Sequence, residues 1–193
     1  MLTTLVTDEL DFPNLSMVGV DDRAAAYTAV DYLIRQGHRK IAVLGGPVTS
    51  YPSLMRRQGA QQAMEDAGIV FNDKLYGLSN YDFESAYHAM NSLLARRAEF
   101  TALFAMSDVI AFGAIRALVS AGLRVPEDVS VIGFDGITMS RYCVPVMTTI
   151  VQPSEQIALQ SIELLVRQIE HGSSAQTVTL QPELHQGESV RAI

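Results

Sequence analysis

Two rhythms of apolar residues alternate along this chain. One recurs at intervals of three and four, the spacing that lines one face of a helix; the other is a short unbroken run, the mark of a strand buried on both faces. Ala26, Ala29, Val30, Leu33 and Ile34 follow the first rhythm. With Asp21 or Asp22 placed to cap it and Gly37 to end it, a helix is predicted over 22–36. Ile41, Ala42, Val43 and Leu44 follow the second and close at Gly45-Gly46-Pro47, which predicts a strand. Leu54, Met55, Ala60, Ala63, Met64 and Ala67 then predict a helix over 53–67 that stops at Gly68.

The cycle repeats. A short strand over 75–78 precedes a helix from Asp82 whose one side carries Ala86, Tyr87, Met90, Leu93 and Leu94. A strand over 102–106 precedes a helix that Asp108 caps and Gly122 ends. Residues 129–134 read as another buried strand, and Pro145 and Pro153 bracket a further one over 148–151. Ser154 is expected to cap a long helix bearing Ile157, Ile162, Leu165, Val166 and Ile169. A small linker at 172–175, a short strand at 177–180 and a weak one near Leu184 complete the chain. Strands alternating with helices imply parallel pairs, because a parallel pair needs a crossover and a helix is the usual one. The expected fold class is α/β with a doubly wound parallel sheet.

Composition acts mainly by exclusion. Of 193 residues, 48% are hydrophobic and 18% charged, which indicates one good-sized domain or one domain plus part of another, not a disordered chain. Fourteen Lys and Arg against 21 Asp and Glu leave a net charge of −7, a field that repels a phosphate backbone. The lone Cys143 forms no intramolecular disulfide, and the acidic opening lacks the regions of a signal peptide, so the cytoplasm is the expected compartment. The most apolar stretch, 100–115, is interrupted by Ser107 and Asp108 and falls short of the ~18 apolar residues of a membrane helix.

In an open parallel sheet, ligands bind beyond the carboxyl ends of the strands, so the loops there are the candidate site. They carry Ser50, Tyr51 and Ser53 with Arg56 one turn on, then Asn80 and Tyr81, Ser107 and Asp108, Asp135, and Gln152. This set mixes donors, acceptors and an aromatic face without a nucleophile and base pair. It suits a polyhydroxylated ligand, a sugar or a nucleoside, since a carboxylate accepts from neighbouring hydroxyls and a guanidinium donates to them. Plainer readings stand beside each residue: Asp108 as a cap, Asp135 as the organiser of the Gly136 turn, Arg56 as a solvated charge, Tyr81 as a packed loop residue.

Enzyme readings meet specific obstacles. Phe134-Asp135-Gly136-Ile137-Thr138 is similar to the first motif of aspartate-nucleophile phosphatases, but their nucleophile would fall on Gly133. Gly45-Gly46-Pro47 lacks the Lys-Ser or Lys-Thr of a P-loop and the third glycine of a dinucleotide fingerprint. His38, His88, His171 and His185 lack metal-ligand spacing. No catalytic residue, metal or cofactor is expected.

Longer motifs carry a resemblance. Residues 37–47 (Gly-His-Arg-Lys-Ile-Ala-Val-Leu-Gly-Gly-Pro), Arg56 with Gly59, Ser107-Asp108 with Ala111 and Gly113, and residues 122–135 resemble the LacI/GalR family of bacterial transcriptional regulators. So do Pro145, residues 147–150 and Gln152-Pro153. The resemblance implies two periplasmic-binding-protein-like lobes behind a helix-turn-helix headpiece. It assigns 1–37 to a remnant of the N-terminal lobe, 38–150 to the C-terminal effector-binding lobe, 151–172 to a crossover helix of the N-terminal lobe, and 173–193 to strands returning to the C-terminal lobe. The helices over 22–36 and 154–171 would then lack the sheet that covers them.

Carried over by position, the effector contacts would be Arg56, Ser107, Asp135, Ser50, Tyr81 and Gln152. The implied function is sensing of a small effector, most simply a sugar, by a regulator that reaches operator DNA only through a headpiece absent from this chain. A free-standing sugar-binding protein and a small sugar-phosphate phosphatase are the alternatives. A homodimer is expected, with Phe112 and Tyr142 at the contact. Ala111, Ala114, Ile115 and Leu118 form one apolar stripe of their helix, while Phe112 and Val119 form a second that the sheet cannot also cover. The other reading packs Phe112 under the following loop.

Overall fold

The structure is a computed structural model that describes residues 16–97, 99–171 and 174–193. The acidic opening and two residues of the expected linker, 172 and 173, lie outside the described residues. The elements run β1 (Met17–Val20), α1 (Asp22–Arg35), β2 (Ile41–Gly45), α2 (Tyr51–Asp66), β3 (Tyr76–Leu78) and α3 (Phe83–Ala95). They continue with β4 (Ala102–Ala105), α4 (Asp108–Ser120), β5 (Ser130–Asp135), β6 (Thr148–Val151), α5 (Ser154–His171), β7 (Thr177–Leu180) and β8 (Glu183–His185).

Six strands form the main sheet in the order β3-β2-β4-β5-β6-β8, all parallel except β8, which runs antiparallel to β6. Every residue of β2 and β4 is buried, as their unbroken apolar runs require when helices cover both faces. α1 and α2 pair with one another, and α3 pairs with α4. Each pair approaches closely through a helical glycine. A Cβ at Gly59 would lie 2.0 Å from the Arg23 carbonyl oxygen, and one at Gly113 would lie 2.5 Å from that of Phe83.

Several local expectations change. The side chain that caps α4 is Ser107, whose Oγ accepts from the Ile110 amide; Asp108 is the first helical residue and is fully buried. Ser154 lies inside α5, and the Pro153 carbonyl accepts the first helical bond, from the Ile157 amide. At the start of α1 the capping residue is Asp21, which accepts from Ala24.

The helix over 22–36 is not left without a sheet. Ala25, Ala26, Ala29, Val30 and Leu33 of α1 are buried in the same core as β2, β4 and β5. An apolar stripe this close to an open sheet face gains more by covering it than by waiting for another lobe. The strand over 177–180 does not return to the main sheet either. β7 pairs in parallel with β1 as a separate two-stranded sheet, and only β8 returns. α5 packs against β1 with Leu164 buried, while Leu159, Ile162, Val166 and Ile169 stay exposed, as expected for a helix without its full cover.

Candidate functional site

β2 has β3 on one side and β4 on the other, and the chain leaves its end in both directions, so the switch point of the sheet lies between the carboxyl ends of β2 and β4. Arg56 spans that point. From the second turn of α2 its Nε donates to Asp22 Oδ1 at 2.7 Å, and its Nη1 donates to the Met106 carbonyl just past β4. The same Nη1 stands 3.6 Å from Asp135 Oδ1 at the end of β5, and the guanidinium lies 3.6 Å over the Phe134 ring centroid. Only 6% of Arg56 is exposed, so the solvated-charge reading is wrong: a desolvated cation is held here by two carboxylates, a carbonyl and an aromatic face.

Asp135 adopts φ +114°, where an L residue is strained; two hydrogen bonds hold it there and a third fixes the turn that follows. Its carbonyl accepts from the Gln152 amide at 3.0 Å, its Oδ1 accepts from Gln152 Nε2 at 2.7 Å, and Asp108 Oδ2 accepts from the Ile137 amide at 2.9 Å just beyond the turn. The β5–β6 register sets this up by pairing Asp135 with Val151, one residue before Gln152. Burial pushes the Asp135 carboxyl above its ordinary range; Arg56 and the Gln152 bond oppose the rise, and Asp22 adds to it. The side chain nonetheless keeps 26% of its surface exposed, unlike the other charged groups of the cluster.

Asp108 lies beneath. Its Oδ1 accepts from Thr149 Oγ1 at 2.6 Å, and burial raises its carboxyl to about 6 despite that bond and the one from Ile137. Gly133 is required beside it, since a Cβ there would stand 2.2 Å from Asp108 Oδ1; a nucleophilic carboxylate has no room at this position.

The remaining expected residues divide. Ser107 is 4% exposed with its oxygen engaged as a cap, and Ser50 caps α2 by accepting from Ser53. Tyr81 sits at φ +59° with its ring against Gly46, where a Cβ would be 2.0 Å from Cε2, and its buried hydroxyl has no hydrogen-bond partner. Arg56, Asp135 and Gln152 thus form one connected group, Tyr81 closes the β2 side, and the two serines serve helix ends. Among the described residues no group of three His, Cys, Asp or Glu is placed to hold a metal ion.

Sequence reading missed Asp22, Phe134 and the Met106 carbonyl. Asp22 stands beside an equally good cap, Phe134 lies in a strand buried on both faces, and a carbonyl carries no sequence signal.

Residues 30–190 match the family model of the periplasmic binding protein-like domain. The chain is 35% identical over 181 residues to the HTH-type transcriptional repressor PurR of Histophilus somni (strain 129Pt), covering 93% of this chain and 54% of that protein. It is 38% identical over 162 residues to the repressor CytR of Escherichia coli K12, covering 84% and 47%. The chain belongs to the periplasmic-binding-protein-like domains of the LacI/GalR family. A solved transcriptional regulator, CelR in complex with cellobiose, superposes with a TM-score of 0.89 at 32% identity, covering 94% of this chain and 56% of that one. The chain therefore spans about half the length of the curated relatives it matches. No described helix is long and apolar enough to cross a membrane.

Proposed function

We propose that this chain is the effector-sensing part of a LacI/GalR-type transcriptional regulator and binds a small polyhydroxylated molecule, most simply a sugar, at the carboxyl edge of its main sheet. The observation that carries this reading is the cluster at the switch point. Asp135 is held at a strained φ with part of its carboxylate open to solvent, beside a guanidinium stacked on Phe134. A carboxylate fixed in this way accepts from two adjacent sugar hydroxyls without reorganising. Asp22, Asp108 and Asp135 outnumber the single Arg56, which favours a neutral ligand over a phosphorylated one. The relative solved with cellobiose is consistent with a sugar.

In this role Asp135 and Gln152 contact the effector, Arg56 orients Asp135, and Ser50 and Ser107 contribute through the helix starts they cap. The regulator works in the cytoplasm as a homodimer and reaches operator DNA through a headpiece outside this chain. Phe112 is half-buried against the core, Tyr142 is 78% exposed, and exposed Val119 and Val144 line one groove with Ile115 and Leu123; the dimer contact is assigned to these residues.

A thermal-shift screen of sugars, nucleosides and sugar phosphates tests the reading. A ligand at 100 times its Kd adds about 2.7 kcal/mol of stability. Stabilisation by a neutral sugar or nucleoside, abolished in Asp135→Ala, is expected. Stabilisation that persists in that variant would move the site elsewhere.

A further inference from the structure

The amino end of the main sheet carries a cavity of about 370 Å³, inside the range of about 300–1,000 Å³ over which proteins hold small molecules. Its floor is apolar and buried, made by Ile41 at the start of β2, Met64 in the last turn of α2 and Leu75 just before β3. Gly68, at φ +69°, turns the chain after α2, and the Ile69 amide donates to the Met64 carbonyl at 2.8 Å, which sets Ile69 and Val70 along one wall. Val70 stands at the mouth, 87% exposed.

The charges sit on the rim. Lys40 and Glu99 neutralise each other in an ion pair. Arg39 gives Nη1 to the Ala67 carbonyl at 3.1 Å and has no carboxylate partner among the described residues. That bond anchors the guanidinium beside the end of α2 and leaves its other N–H groups to donate. Asn72 Oδ1 accepts from the Lys74 amide, so its NH2 group is also left to donate.

We propose that this cavity is a second small-molecule site and that it takes a monocarboxylic acid with a short apolar body. The floor buries the apolar part, and Arg39 binds the carboxylate head with the Asn72 amide as a further donor. The lining residues hold one positive charge in excess, which matches one carboxylate and not a dianion. A cation finds no free acid there, since Glu99 is taken by Lys40. The site stands independently of the effector reading, because it lies at the opposite end of the sheet from Arg56 and Asp135. Both ends are built on α2, where Arg56 and Met64 are separated by a rise of about 12 Å.

Hexanoate is the probe, with hexanol and hexylamine as its uncharged and cationic counterparts. Methyl NMR of the 193-residue chain follows Ile41, Met64, Ile69 and Leu75 at the cavity, and Met106, whose carbonyl bonds Arg56, at the effector cluster. Saturable shifts at the first four with Met106 unmoved are expected, with weaker binding of hexanol and none of hexylamine. Arg39→Gln should raise the Kd for hexanoate about tenfold or more, the effect of losing a charge-assisted hydrogen bond. Val70→Glu, at an exposed position that leaves the core intact, should raise it several-fold by placing a like charge at the mouth. Shifts that never saturate, shifts centred on Met106, hexanol binding as tightly as hexanoate, or a Kd unchanged in either variant would each overturn the proposal. Should Arg39→Gln fail to fold, Val70→Glu decides alone.

Discussion

Asp108→Asn isolates one buried charge with little change of shape. The wild-type carboxylate is fully buried and accepts two hydrogen bonds, from Thr149 Oγ1 and the Ile137 amide. An asparagine keeps one acceptor for Ile137, and its amide can donate to Thr149 once that hydroxyl turns. The variant therefore removes the charge and spares the bonding. Because the folded carboxyl is raised to about 6 from its ordinary 3.8, Asp108 supports folding fully below about 3.8 and progressively less as pH rises through 6. At about 1.36 kcal/mol per unit, the full difference is about 3 kcal/mol, of which about 2 kcal/mol develops between pH 4.5 and 7.

Urea unfolding of wild type and Asp108→Asn across that range measures the difference directly, and contributions from other carboxylates largely cancel. The expected result is a variant that gains on wild type by about 2 kcal/mol between pH 4.5 and 7, most of it below pH 6, above which the difference levels off. A difference independent of pH would refute the reasoning. It would mean that Asp108 is solvated, or that its two hydrogen bonds offset burial completely.

Three further outcomes are expected. Asp135→Ala should weaken binding of an effector found in the thermal-shift screen by about 1.5–3 kcal/mol in calorimetry, the range for bonds to a charged group, and unchanged affinity would remove Asp135 from the site. Gly59→Ala, although a better helix former, should lower the melting temperature, because its Cβ would stand 2.0 Å from the Arg23 carbonyl and overpacking costs about 1–3 kcal/mol; a rise would show that α1 and α2 separate easily. Phe112→Glu should convert a dimer into a folded monomer in sedimentation, whereas an unfolded variant would place Phe112 in the core and a monomeric wild type would dispose of the dimer.

Local signals in the sequence determined the strands and helices themselves. The unbroken run at 41–44 becomes β2, and the three-and-four spacings become α1 to α5, because periodic burial is a property of neighbouring residues. The same logic located the candidate site at the strand ends, since a parallel sheet directs every connecting loop there. The motifs that carried the family resemblance include Gly59 and Gly113, whose importance to helix pairing appears only once two backbones are seen in contact.

What the sequence could not decide was partnership between distant residues. Asp22 and Arg56 are separated by 34 positions, and nothing near either one marks them as a pair. Asp108 and Asp135 look alike as acidic residues after buried strands, yet one is sealed beneath Gly133 and the other keeps a face to solvent. Likewise, α1 covers the main sheet and β7 joins β1 rather than β8 because apolar faces and unpaired strand edges bind whatever complementary surface the folded chain brings within reach. Periodicity tells each element which face to bury, and only the tertiary structure supplies the surface it is buried against.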